Sequence, residues 1–290
     1  MTSQPPSPPE QPAEAVPTCY RHPAKETWVR CQRCDRPICP DCMRDAAVGF
    51  QCPECVAEGN KGVRQAQATF GGSAVTKPYV TWTFMGLIAL VFLGQMVSGT
   101  RVASALAMNT YVVAVDGDYY RLLTSAFVHD QSMYLHILFN LWAIYAIAPY
   151  LERSFGHAKF AALYLLSALG GSVLGYWVDA PNVVSFGASG AVFGLFAAIF
   201  IVGRKQNLEV RGIVVVIALN LALTFVVPLL TGYGISWSAH VGGLVTGAVL
   251  SAALVHAPRN HRALYQTLAL AGAFVALAAL VVIRTTMLLS

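Results

Sequence analysis

The chain has 290 residues and a net charge of +5, with 56% hydrophobic and only 11% charged residues. A soluble domain usually carries about a quarter charged residues, so an ordinary soluble protein is excluded. The positive balance does not indicate nucleic acid either, because most basic residues beyond the cysteine-rich head fall in short loops. They form no contiguous basic face with interleaved aromatics.

Residues 1–17 (MTSQPPSPPEQPAEAVP) lack the basic start and apolar core of a signal peptide, and their proline content predicts a disordered tail. Residues 18–57 hold all seven cysteines, in the order Cys19, Cys31, Cys34, Cys39, Cys42, Cys52 and Cys55, with His22 three after the first. An odd count in a C-x2-C rhythm fits metal ligation better than a disulfide framework. Eight potential ligands in four close pairs suit two tetrahedral zinc sites, and a module this small needs metal to hold its fold. Eight ligands close both sites and leave no open position for catalysis. Cross-braced and sequential pairing both satisfy the spacing, and a rubredoxin-like iron site is the alternative metal. Residues 58–77 mix glycine, alanine and polar side chains, as a linker does.

Seven hydrophobic spans follow, at about 79–98, 133–149, 159–178, 184–203, 212–230, 236–255 and 264–283. With the N-terminus in the cytosol, the inner flanks hold Lys61, Arg64, Lys77, Arg153, Lys159, Arg204, Lys205, Arg211, Arg259 and Arg262. The outer flanks hold only Arg101, Arg121 and Arg284, a clear positive-inside bias. The head is therefore expected in the cytosol, where thiols stay reduced. The outer segment 99–132 is too long for a tight connection, and its aromatics suggest a structure lying in the membrane interface.

Polar groups inside a bilayer are costly, and each one calls for a role. The second span carries His136 and Asn140, the fourth Ser189, and the sixth His240. Any one of them alone could be helix-packing glue. All three spans enter from the same face, however, which puts these groups at a shared depth of ~5–10 Å at 1.5 Å per residue. Gly190-x3-Gly194 and Gly243-x3-Gly247 would let the fourth and sixth helices approach closely. Ser189 is a poor nucleophile without a base, and His240 is the base available at that depth on a facing helix. His136, Asn140 and the Ser189 backbone N–H could donate to an oxyanion. No Asp or Glu lies at this depth, so a Ser189–His240 dyad is expected rather than a triad. Phe193, one turn after Ser189, could stack on the imidazole.

The set YRLLTSAFVH, HILFN, GASGAVFG (with Gly187 and Gly190 flanking the serine) and AHVGGLVTG resembles the rhomboid family of intramembrane serine proteases. The resemblance covers about 79–255. It implies an all-α polytopic fold, with a six-helix core over 78–257, to which residues 258–290 add a seventh transmembrane helix. It also implies a Ser189–His240 dyad, His136 and Asn140 at the oxyanion hole, no cofactor for catalysis, and single-span membrane proteins as substrates. Two departures stand out: Tyr120-Arg121 replaces the family's Trp-Arg pair, and His129 precedes His136 by seven residues where five is commoner. They put the shape of the outer segment in doubt but not the dyad. Glu152 matches a family carboxylate that ties loops together. The head resembles a B-box-type zinc finger, which implies cross-bracing, with Cys19, His22, Cys39 and Cys42 on one ion and Cys31, Cys34, Cys52 and Cys55 on the other. A cytosolic protein partner is the role such a head suggests. A catalytically dead relative and a transporter are the rival readings. The first is opposed by the complete set of site residues, the second by the absence of internal repeats and of polar groups at mid-bilayer.

Overall fold

The computed structural model describes residues 15–63, 66–231 and 234–290, so residues 1–14 of the expected tail lie outside the described residues. The chain divides into two compact units, Met1–Gln65 and Ala66–Ser290.

The first unit contains two short antiparallel ladders and one helix. β1 (Thr18–Cys19) pairs with β2 (His22–Glu26), and β3 (Arg44–Asp45) with β4 (Phe50–Gln51), before α1 (Pro53–Lys61). Ile38 is the one fully buried aliphatic side chain among its described residues, and the rest of its interior is cysteine apart from Thr27. So thin a core cannot offset the conformational entropy of ordering the unit, and its cysteines must supply the difference.

The second unit is helical. It runs through α2 (Tyr79–Ser98), α3 (Thr100–Leu106), β5 (Met108–Asn109), α4 (Thr110–Val115), α5 (Arg121–Thr124), α6 (Tyr134–Phe155) and α7 (His157–Val178). β6 (Val184–Ser185), α8 (Ser189–Lys205), α9 (Arg211–Thr231), α10 (Trp237–His256) and α11 (Arg262–Leu289) complete it. Six of these helices, α2, α6, α7, α9, α10 and α11, are long and apolar enough to cross a membrane. α8 has 17 residues, about 25 Å at 1.5 Å per residue, short of a hydrocarbon core of about 30 Å.

Hydropathy alone starts this fourth span near residue 184, but the helix begins at Ser189. The intervening chain is used otherwise: Val184–Ser185 pairs with Met108–Asn109 of the outer segment, and Gly187 then turns the backbone at φ +126°. That φ favours glycine, because a Cβ would clash with the following carbonyl.

The centre of the unit is α7 packed against α8 and α10. Tyr164, Phe160, Leu163 and Tyr176 of α7 are fully buried. Glycines let the backbones touch: a Cβ on Gly243 would overlap the Gly190 carbonyl, one on Gly247 would overlap Gly194, and one on Gly242 the Gly170 carbonyl. Such contact replaces the hydrophobic drive that lipid-facing helices lack between themselves.

Polar ties hold the ends. The fully buried Glu152 carboxylate accepts from Val80 N at 3.0 Å, Thr81 N at 2.8 Å and Thr81 Oγ1 at 2.6 Å, and also faces His157 Nδ1. It joins the start of α2 to the α6–α7 turn. In the outer segment, Arg121 bonds Asp118 Oδ2 at 2.9 Å and the Ala107 carbonyl at 3.2 Å, while Tyr120 OH reaches the Ala105 carbonyl at 3.2 Å. The Tyr120-Arg121 pair thus knits α3, β5 and α5 together. α11 lies along α7, with Thr285 Oγ1 2.8 Å from Tyr176 OH and Gln266 Nε2 donating to the Phe70 and Leu254 carbonyls.

Candidate active site and metal sites

Ser189 is the first residue of α8, so its backbone N–H belongs to the turn that has no intrahelical acceptor. His240 is the fourth residue of α10. The glycine contacts between these helices bring Ser189 Oγ to 2.9 Å from His240 Nε2. Phe193, one turn along α8, stacks its ring on the imidazole, with centroids 4.4 Å apart and planes at 19°. The far nitrogen of the ring, Nδ1, lies 2.7 Å from Thr224 Oγ1 of α9.

On the other side of Ser189 stands α6. A Cβ on Gly187 would come within 2.9 Å of His136 Nε2 and 3.7 Å of Ser189 Oγ, so both side chains face the space that this glycine leaves empty. Asn140 lies one turn along α6 and donates its amide to the His136 carbonyl at 2.8 Å. The amide carries two N–H donors, and this bond uses one. His136, Asn140, Ser189 and His240 all line one cavity of about 1020 Å³. Its apolar wall includes Trp142, Phe139 and Leu219. Gly190, the other glycine flanking the serine, packs its Cα face on the Ala239 carbonyl of α10.

Three features of this site went unread in the sequence, where His129 was noted only for its spacing from His136. Thr224 carries no motif, and only its four-residue spacing from Asn220 hinted at a polar face on the fifth span. His129 is almost fully buried and held by Gln95 of α2, which donates to its carbonyl at 2.8 Å and accepts from its N–H at 3.1 Å. The His129 ring sits 5.1 Å from that of His136. Asp179, at the cavity rim, accepts from Ser238 Oγ at 2.8 Å. Burial raises its carboxyl above the usual range, and the Ser238 bond opposes that shift.

In the first unit the ligand atoms gather into two sets, Cys19, His22, Cys39 and Cys42, and Cys31, Cys34, Cys52 and Cys55, each set within 4.8 Å. This is the cross-braced grouping. Four ligands at tetrahedral zinc distances would stand ~3.8 Å apart between sulfurs and ~3.5 Å between sulfur and nitrogen. Cys39 and Cys42 Sγ lie 3.3 and 3.4 Å from His22 Nδ1, and Cys34 Sγ lies 3.8 Å from Cys52 Sγ. The donors fit a tetrahedral ion. Burial, together with the neighbouring thiols, pushes Cys42 up to about 11 and Cys55 up to about 12, a repulsion that a bound cation relieves. Arg36 adds local positive charge, donating to Cys34 Sγ at 3.2 Å.

A family model described as the Rhomboid domain matches residues 116–257. The chain is 31% identical over 179 residues to putative rhomboid protease YdcA of Bacillus subtilis, covering 59% of this chain and 81% of that one. It is 30% identical over 175 residues to rhomboid protease GlpG of Haemophilus influenzae, covering 59% and 88%.

This chain belongs to the rhomboid family. Rhomboid protease GluP of Bacillus subtilis is 33% identical over 187 residues, covering 61% of this chain but only 35% of its own length. The chain thus spans about a third of that longer relative. All three alignments are far shorter than 290 residues. The rhomboid core is a multi-pass membrane protein, and Ser189, His240, His136 and Asn140 all fall inside the matched stretch.

Proposed function

We propose that this chain is an intramembrane serine endopeptidase that cuts single-span membrane proteins, with Ser189 as nucleophile and His240 as base. The observation that carries the reading is the 2.9 Å contact between Ser189 Oγ and His240 Nε2 inside a cavity walled by apolar side chains. Relatives named as rhomboid proteases support it.

The chemistry follows from the groups present. His240 Nε2 takes the proton as Ser189 Oγ attacks the scissile carbonyl, whose C=O electrons move onto oxygen. His136, the second N–H of Asn140 and the Ser189 backbone N–H are the donors for that oxyanion. Protonated His240 then gives its proton to the departing amine, leaving an acyl-enzyme. Water, deprotonated by His240, releases the second product and restores Ser189. Phe193 limits the tilt of the imidazole through both steps, Gly187 keeps the space between His136 and Ser189 free of a side chain, and Gly190 lets α8 seat on α10.

The head (18–57) is assigned two structural zinc ions on the cross-braced ligand sets, joined through 58–77 to the protease core (78–257) and the seventh helix (258–290). Zinc in closed four-ligand sites supplies folding energy and no chemistry. Elemental analysis of the purified chain should return two zinc ions per molecule; one ion, or iron, refutes the assignment. The Lys and Arg bias supports a cytosolic head with the site opening to the outer face, and thiol-labelling of single-cysteine variants in intact cells tests it. A cytosolic protein partner is assigned to the head by fold-level analogy, and deletion of residues 1–60 with unchanged partners and cleavage refutes that.

The central test reconstitutes the protein in liposomes with a generic single-span substrate. Wild type should cut, while folded Ser189→Ala and His240→Ala should both be silent, a loss of at least about a thousandfold. Cleavage by either variant at the wild-type rate removes the assignment.

A further inference from the structure

The dyad leaves one question of proton placement. A histidine serves as base toward serine only when the nitrogen facing the hydroxyl is bare and the other carries the hydrogen. In a triad, a carboxylate on the far nitrogen enforces that tautomer. Among the described residues no carboxylate is recorded in contact with His240, and the group on Nδ1 is the hydroxyl of Thr224, at 2.7 Å.

Thr224 Oγ1 also donates to the Asn220 carbonyl oxygen at 2.8 Å. A hydroxyl has one hydrogen, and a carbonyl oxygen only accepts. With its hydrogen committed to Asn220, Thr224 meets His240 as an acceptor. Nδ1 must therefore hold the imidazole hydrogen, and Nε2 turns its lone pair toward Ser189 Oγ at 2.9 Å.

The setting of Thr224 sharpens the point. α9 is the least embedded of the helices that reach the site, with only 6% of its apolar window buried. Thr224, at 2% exposure, is the one fully buried side chain among the described residues of α9. A helix that faces outward nearly everywhere turns its one fully buried described side chain, a polar one, onto His240. Pro228, four residues on, has no N–H to give the Thr224 carbonyl, so the helix is loosest where this contact is made.

We propose that Thr224 is a positioning residue. Anchored on the Asn220 carbonyl, its hydroxyl holds His240 in the Nδ1–H tautomer and takes the orienting role that a carboxylate takes in a triad. The proposal rests on the assignment of Ser189 and His240 as nucleophile and base. Unlike a carboxylate, the hydroxyl brings no charge to stabilise the imidazolium. Its loss should therefore cost about tenfold, the worth of one neutral hydrogen bond, rather than the ~10⁴ seen when a triad carboxylate is neutralised.

The test measures kcat and KM in liposomes for Thr224→Val, Thr224→Ala and Thr224→Ser beside Ser189→Ala and His240→Ala, with thermal unfolding of each. Thr224→Val should lower kcat about tenfold with KM within about twofold, and Thr224→Ser should restore kcat to within about threefold of wild type. Should Thr224→Val fail to fold, Thr224→Ala decides the matter by the same criteria. Wild-type kcat in the hydroxyl-free variant overturns the proposal. So does a serine variant as slow as valine, since the methyl would then be what matters. Cleavage by Ser189→Ala or His240→Ala instead removes the parent assignment, and the two failures are read from different variants.

Discussion

The two units of this chain are held together in opposite ways. The head has Ile38 and six buried cysteines at its centre, and its seven cysteines and His22 gather in two four-ligand sets. The helical unit has no such clusters among its described residues and is held where α7, α8 and α10 touch through glycine. One unit sets two clusters of potential metal ligands where a core would be, and the other adds close backbone contact to its apolar core. The lesson is that side chains the two units lack are as informative as those they contain, because each absence marks where another force acts.

The largest expected break falls on the head. Structural zinc in small modules is worth roughly 10–16 kcal/mol per site, so a strong chelator, or Cys39→Ser, should unfold the head outright. Circular dichroism and protease sensitivity of residues 18–57 would register it, while the thermal transition of the helical unit should not move. A fall in that second transition would show that the two units are not energetically separate. Acid should act as chelator does, because thiolate ligands must give up their metal as they are protonated.

Next in size is the glycine seam. Gly243→Leu forces a side chain into the Gly190 backbone, where nothing flexible can yield, and should abolish both folding and cleavage. Gly243→Ala, whose single methyl still overlaps that carbonyl, should lower the unfolding temperature and activity together. Unchanged stability in the alanine variant would mean that the seam is looser than the structure describes.

Glu152→Ala comes third. It leaves the Val80 and Thr81 donors without their buried acceptor, a loss on the order of 3–5 kcal/mol. Thermal unfolding in detergent should drop sharply, while any protein that remains folded cuts with an unaltered KM. Gly187→Ala tests the site rather than the fold. With φ at +126° and His136 Nε2 2.9 Å from the added carbon, it should depress kcat strongly and also cost more than about 1 kcal/mol of stability. The smallest effect is expected from Phe193→Leu, which loses the ring stacked on His240. Stacking of this kind is worth about 0.5–1.5 kcal/mol, so kcat should fall no more than about tenfold.

Much of this was open to reading in the chain itself. Apolar runs with basic loops define the membrane helices, since a bilayer demands about 20 apolar residues whatever the fold. Four close ligand pairs pointed to two candidate metal-ligand sets, because ligation chemistry fixes the residue types. Ser189, His136, Asn140 and His240 stood out because polar groups in apolar helices are rare for an energetic reason. Gly190, Gly194, Gly243 and Gly247 showed which faces would meet.

What only the tertiary structure decided is where partners distant in sequence come together. The grouping of Cys19 and His22 with Cys39 and Cys42, rather than with Cys31 and Cys34, depends on how two short hairpins fold across each other, and both groupings satisfy the spacing. The start of α8 at Ser189 depends on Val184–Ser185 finding Met108–Asn109, and hydropathy cannot register a pairing that far away. Gln95 meets His129, and Thr224 meets His240 from another helix. A lone threonine in an apolar span looks like helix-packing glue, because the hydrogen bond that distinguishes it exists only once the helices are packed.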